Sequence, residues 1–197
     1  MEKGQNINRP AKGSTIKVDP IKKIRDIKSI KALLKDKPRD FCLFTMGINT
    51  NLRASDLLRL TVGDVRNLKA GDDLTLKEKK TGKHRRITLN KVVVASIRGL
   101  LESQPQADDT PLFNGQRGCL TVPSVNRLVK GWCRAINLKG NYGSHSLRKT
   151  FGYHQRVTFG RGVPELMVVF NHSSQRETLE YLCIQPDEVK SIYLNEL

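Results

Sequence analysis

The chain has 197 residues, enough for one domain with a real hydrophobic core. Thirty-five Lys/Arg against 19 Asp/Glu give a formal charge of +16. That surplus asks for a polyanionic partner, nucleic acid first, because phosphates repay clustered cations by releasing counterions. No run approaches the roughly 18 apolar residues of a membrane span, Met1–Thr15 lacks the apolar stretch of a signal peptide, and no basic helix presents Trp or Phe to a lipid surface, so the cytoplasm is the expected compartment.

In chain order, residues 1–18 are polar, carry Gly4, Pro10 and Gly13, and read as a tail or linker. Asp19-Pro20 predicts a helix start, with Ile21, Ile24, Ile27, Ile30 and Leu34 along one face. Pro38 opens a second helix through Phe41, Cys42, Phe44 and Ile48. Asn49-Thr50-Asn51 breaks it, and a short helix follows from about Ala54 to Leu60. Leu74–Glu78 and Arg85–Leu89 alternate apolar and polar residues, as two strands joined at Thr81-Gly82 would. Between Lys77 and Arg86 this hairpin holds six Lys/Arg and one Glu. Lys79, Lys83, Arg85 and Arg86 are its candidate DNA contacts. Helices are then expected over Val92–Leu101, Ser124–Ile136, Ser146–Val157, Pro164–Phe170 and about Arg176–Leu182. The sum is a mostly helical α+β domain with one small antiparallel β-sheet. Cys42, Cys119, Cys133 and Cys183 lack zinc-finger spacing and read as buried thiols.

Cutting a DNA phosphodiester without a metal sets a definite demand. Guanidiniums must neutralise the non-bridging oxygens, a nucleophile must attack in line, and an acid must protonate the leaving oxygen. Four places can supply this: Arg53 at a helix entry, Lys80 at the hairpin tip, His145 and Arg148 three apart at a helix start, and His172 nine residues before Tyr181. Singly, each has an ordinary explanation as a surface charge, a helix cap or a core residue.

Together, their order and spacing resemble the catalytic signature of the tyrosine recombinase (phage integrase) family. Gly47–Val65, with Arg53, Asp56 and Asp64, is similar to the family's first box. Lys80 before Thr81-Gly82 resembles its hairpin lysine, His145-Ser-Leu-Arg148-Lys-Thr its second box, and Leu166–Tyr181 its last. The likeness spans about residues 20–185. Two local departures stand out: Asn51-Leu52 precedes Arg53, and Phe170-Asn171-His172 replaces Leu-Gly-His, which alters the turn that aims His172.

The resemblance implies a catalytic domain over residues 19–184 and a C-terminal tail over residues 185–197. No core-binding domain is expected in this chain. Tyr181 is the implied nucleophile, forming a 3′-phosphotyrosyl link. Arg53 and Arg148 clamp the phosphate, Lys80 is the general acid, His145 moves the tyrosine proton, His172 hydrogen-bonds the phosphate, and Asp56 supports the Arg53 region. Tyr142, Tyr153 and Tyr193 are rival nucleophiles, none of which follows a His by nine residues. Neither metal nor cofactor is called for. The implied function is site-specific DNA recombination on double-stranded DNA, with self-association into a tetrameric synapse. A non-catalytic DNA-binding accessory protein and a type IB topoisomerase-like enzyme are the alternatives.

Overall fold

The computed structural model describes residues 18–115, 118–172, 174–182, 184, 190, 193 and 194; most of the predicted C-terminal tail, all but the last residue of the predicted N-terminal one, and Cys183 lie outside them. Among the described residues, nine helices and two two-stranded antiparallel sheets form the domain. The mostly helical α+β expectation holds.

The first helix, α1 (Ile24–Leu33), starts later than Asp19-Pro20 predicts. The preceding segment is sewn to another part of the fold instead. Asp19 N donates to Asn141 O (2.7 Å) and its carboxylate accepts from Asn141 N (2.9 Å). Ile21 N donates to Thr150 Oγ1 (2.8 Å), and Ile21 O lies 3.0 Å from His154 Nε2. With those backbone groups committed, no helical turn can form around them. Ile24 is exposed, whereas Ile21, Ile30 and Leu34 are fully buried.

Helix α2 (Pro38–Asn49), with Pro in its first turn, is the centre of the molecule. Cys42, Leu43, Phe44 and Met46 are all completely enclosed. The expected helix over Ala54–Leu60 forms only as the short α3 (Ala54–Leu57), and a separate, unexpected α4 (Val62–Val65) follows it. Thr61 and Asp64 form a reciprocal capping box at α4, so Asp64 of the first box is a helix cap. Strands β1 (Asp73–Lys77) and β2 (His84–Thr88) pair with Leu76 opposite Arg85, one residue earlier than expected on each strand. Next come α5 (Lys91–Ser103), capped by the Asn90 side chain, and a two-residue ribbon of β3 (Asn114–Gly115) and β4 (Gly118–Cys119). Thr121 caps α6 (Val122–Ala135), and α7 (Ser144–Val157) follows.

Helices α2, α5, α6 and α7 pack on one another to make the main core, with Trp132 set edge-on to Phe44 at 5.8 Å. Gly47 lets α7 come close: a Cβ there would lie 2.5 Å from Leu147 Cδ1. Helices α8 (Val163–Phe170) and α9 (Gln175–Leu182) pack on α7 around a separate small core of Leu166, Phe170 and Leu182. Cys42 and Cys133 are buried, and burial pushes both thiols up to about 12. Cys119 is exposed, contrary to the buried-thiol expectation, because the short ribbon that carries it stands at the surface. No described helix is long and apolar enough to cross a membrane.

Candidate active site

Arg148 is the centre of the site. It leaves the second turn of α7 and is 1% exposed, the bulkiest of the fully enclosed side chains. Its Nη1 donates to Asn51 O (2.6 Å) and its Nη2 to Phe170 O (3.0 Å). The same Nη2 lies 3.3 Å from His172 Nε2. Asn51 ends α2 in the left-handed region (φ 55°), which turns its carbonyl toward Arg148. Asn171, at φ 55° and ψ 37°, ends α8 the same way. Asparagine tolerates this conformation, so the Asn that stands in place of glycine before His172 still makes the turn.

His172 is thereby fixed in tautomer. A guanidinium can only donate, so Nε2 accepts from Arg148 and Nδ1 carries the proton to Thr178 Oγ1 at 3.1 Å. Burial, and then the Arg148 charge, hold the imidazole down at about 4, so it is neutral at pH 7. The Tyr181 ring stacks obliquely at 5.3 Å from both the His172 and Phe170 rings, and the Arg148 guanidinium carbon lies 5.1 Å from its centre. A Cβ on Gly152 would meet Phe170 Cζ at 2.8 Å and Tyr181 O at 3.2 Å, so glycine on α7 is what admits the helix that carries Tyr181.

The hairpin supplies the opposite wall. Gly82 (φ 68°) permits the turn, in which Gly82 N donates to Glu78 O (2.9 Å) and Glu78 N to Lys83 O (2.9 Å). Arg53, at the N-cap of α3, pairs through Nη1 with Glu78 Oε2 at 2.9 Å. Asp56 Oδ1 accepts from Lys79 N at 2.9 Å, which ties α3 to the turn. The two walls enclose a cleft of about 360 Å³ whose lining includes Arg53, Lys80, Asn171, His172, Glu177 and Tyr181. Burial and then Arg53 and Arg85 push the Arg148 guanidinium below its ordinary value: positive charge is crowded here in want of an anion. His145, exposed on the first turn of α7, is lowered by partial burial and by Arg148, Arg53, Lys149 and Lys80.

Of the expected residues, Arg53, Lys80, His172 and Tyr181 line one cleft, Arg148 packs against two of them, His172 and Tyr181, and His145 lies within the same field of charge. None of the rival tyrosines lines it. Tyr142 is buried, with its hydroxyl donating to Lys139 O and pushed up to about 12, Tyr153 packs edge-on to His154, and Tyr193 is 84% exposed. Lys79 and Lys83 are exposed as DNA contacts must be, and Arg86 is exposed but pairs with Asp73 at 2.6 Å. Arg85 is a correction. It is buried, with Nη1 on Glu78 Oε1 (2.9 Å) and Nη2 on Val169 O (2.8 Å), so it holds the fold together and is not on the exposed face of the hairpin with Lys79 and Lys83. The clue was in the sequence: Arg85 shares its strand face with Ile87 and Leu89. Glu78, the residue that sequence reasoning missed, shares its face with Leu74 and Leu76 in the same way.

The profile of the phage integrase family matches residues 18–188. A probable integrase/recombinase of Bacillus subtilis, YoeC, is 34% identical over 181 residues, which is 89% of this chain and 95% of that protein. The tyrosine recombinase XerC of Caldanaerobacter subterraneus is 28% identical over 159 residues, 78% of this chain and 44% of that protein. Among solved structures, the XerA recombinase superposes with a TM-score of 0.73 at 16% identity, over 96% of this chain and 66% of that one. The XerH recombinase bound to its palindromic difH substrate superposes with a TM-score of 0.70 at 21% identity, over 87% and 51%. The chain thus spans about half the length of XerC and XerH.

Proposed function

The chain belongs to the phage integrase family of tyrosine site-specific recombinases, and from that premise we propose that it breaks and rejoins duplex DNA through a covalent link to Tyr181. The observation that carries this reading is the single cleft lined by Arg53, Lys80, His172 and Tyr181, with the buried Arg148 guanidinium against His172 and Tyr181.

In this reading the Tyr181 hydroxyl attacks the scissile phosphorus while Arg53 and Arg148 balance the charge that gathers on the non-bridging oxygens. The bond from phosphorus to the 5′-oxygen breaks, its electron pair stays on that oxygen, and Lys80 supplies the proton. His145, kept neutral by its surroundings, takes the tyrosine proton. With Nε2 accepting from Arg148, His172 holds that guanidinium toward the phosphate, and it donates to the phosphate itself only once Nε2 is protonated. A 5′-hydroxyl from a second duplex attacks the phosphotyrosyl bond and reseals the strand. Residues 19–184 form the catalytic domain, and Lys79, Lys83 and Arg86 contact the DNA backbone. Residues 1–18 and 185–197 act as tails, and assembly on DNA in the cytoplasm is tetrameric.

The test is a library of randomised duplexes, each nicked so that the short product strand diffuses away. The wild-type protein is expected to form an adduct that survives denaturing electrophoresis, and Tyr181→Phe none. Adducts formed equally by both would reject the assignment of the nucleophile; no adduct with the wild type would reject the activity.

A further inference from the structure

Glu78 is the least expected group near the cleft. Its carboxylate is fully enclosed, with no side-chain exposure, in the most basic stretch of the chain. It accepts three hydrogen bonds from three different places. Arg53 Nη1 donates to Oε2 at 2.9 Å from the start of α3, Arg85 Nη1 to Oε1 at 2.9 Å from β2, and Thr81 Oγ1 to Oε2 at 2.7 Å from the turn itself. Its backbone N–H and C=O close the same turn, on Lys83 O and Gly82 N. Lys80 lies inside that six-residue loop and turns its side chain to the cleft. The ion pair that ties the lysine's loop to Arg53 therefore passes through Glu78, with the Lys79 amide on Asp56 and Arg59 Nη1 on Lys77 O as further ties beside it.

We propose that Glu78 is a positioning residue that fixes the Lys80 loop against Arg53, so that proton donor and phosphate clamp approach the scissile group as one rigid unit. A buried carboxylate is costly unless it is paired and hydrogen-bonded, and this one is both. A loop of exposed lysines, free of such a latch, would be driven apart by mutual repulsion and would sample many positions. Misplacement of a reacting group by about 1 Å costs roughly 100-fold in rate, so the latch acts on chemistry while binding stays intact. The inference rests on Lys80 being the general acid, and its test separates the two.

The readout is single-turnover cleavage of the nicked duplex that the wild type selects, prepared with either oxygen or sulfur at the 5′-bridging position. A thiolate leaves without a proton, since a thiol titrates near roughly 8.5. Glu78→Gln is expected to slow cleavage of the oxygen substrate about 100-fold and that of the sulfur substrate less than about fivefold, with filter retention of DNA unchanged. Thr81→Ala removes the hydroxyl's bond to Glu78 and the one it accepts from Lys83 N within the exposed turn, leaves the Arg53 pair in place, and is expected to show the same pattern at about tenfold. It keeps the test decisive if Glu78→Gln fails to fold. Equal slowing on both substrates, or no slowing in Thr81→Ala, overturns the proposal. Should Lys80→Ala itself be slowed equally on both substrates, the general-acid reading fails, whatever Glu78 does.

Discussion

The main body and the α8–α9 unit are held together by different physics. The main body buries a continuous apolar core around α2, whereas, among the described residues, α8 and α9 fully enclose Leu166, Phe170 and Leu182 and leave Val168, Val169 and Leu179 exposed. The smaller unit is fastened by polar ties at the C-terminus of α8. Asn51 Nδ2 and Arg85 Nη2 donate to Val169 O, and Arg148 Nη2 to Phe170 O. These carbonyls carry the negative end of the helix dipole, so cations from the main body suit them. Arg53 and Arg148 stand on the main body, and Tyr181 stands on the unit with the smaller apolar core. Low apolar burial lowers the cost of local opening.

Removing Arg148 tests that division most severely, because it serves both regions. Arg148→Ala leaves two buried carbonyls without donors and is expected to cost about 2–4 kcal/mol of stability together with all cleavage. Arg148→Lys should regain part of the stability and none of the cleavage, because an ammonium lacks the paired donors of a guanidinium. Urea denaturation alongside the adduct assay decides; unchanged stability in Arg148→Ala would mean that the anchoring role is wrong.

A pair of glycine substitutions separates the regions. Gly47→Val forces α2 from α7 and is expected to lower stability by about 1–3 kcal/mol. Gly152→Val presses on Phe170 and the Tyr181 backbone, where only the small core responds. It should lose less stability than Gly47→Val and slow cleavage at least about tenfold. If the two variants have the same ratio of lost stability to lost cleavage, the molecule behaves as one cooperative unit.

Acid sharpens the comparison by a smaller amount. His172 is depressed from 6.5 to about 4, so below about pH 6.5 the unfolded chain takes up a proton that the folded site refuses, and stability falls with pH. Glu78 is depressed from 4.5 to about 2: burial opposes its charge, but the bonds from Thr81, Arg53 and Arg85 prevail. Its contribution is complete above about pH 4.5 and is lost as pH falls toward 2. Urea midpoints measured from pH 7 to 3 should decline along both limbs, and His172→Gln should flatten the upper one while leaving the lower. A profile in His172→Gln identical to wild type would show that the imidazole is not held neutral.

Most helices were legible because their signals are local, as Pro38 at the start of α2 and the Asn49-Thr50-Asn51 break after it show. The start of α1 was misread because Asp19-Pro20 has the local chemistry of a cap while its partners, Asn141, Thr150 and His154, lie more than 120 residues away. Arg85 was misread for a related reason. In a run of six cations, composition says solvent, and only the alternation of the strand says core.

By itself the sequence determined the helical α+β class and the hairpin, because propensity and periodicity are properties of neighbouring residues, and its resemblance to a family named the candidate site groups. Only the tertiary structure decided which cations face the cleft and which are bound within the fold, and which tautomer His172 adopts. It also decided that a lone glutamate joins two elements of the site. Those outcomes depend on burial and on partners distant in the chain, where the dielectric and the donor count are set by packing rather than by sequence order.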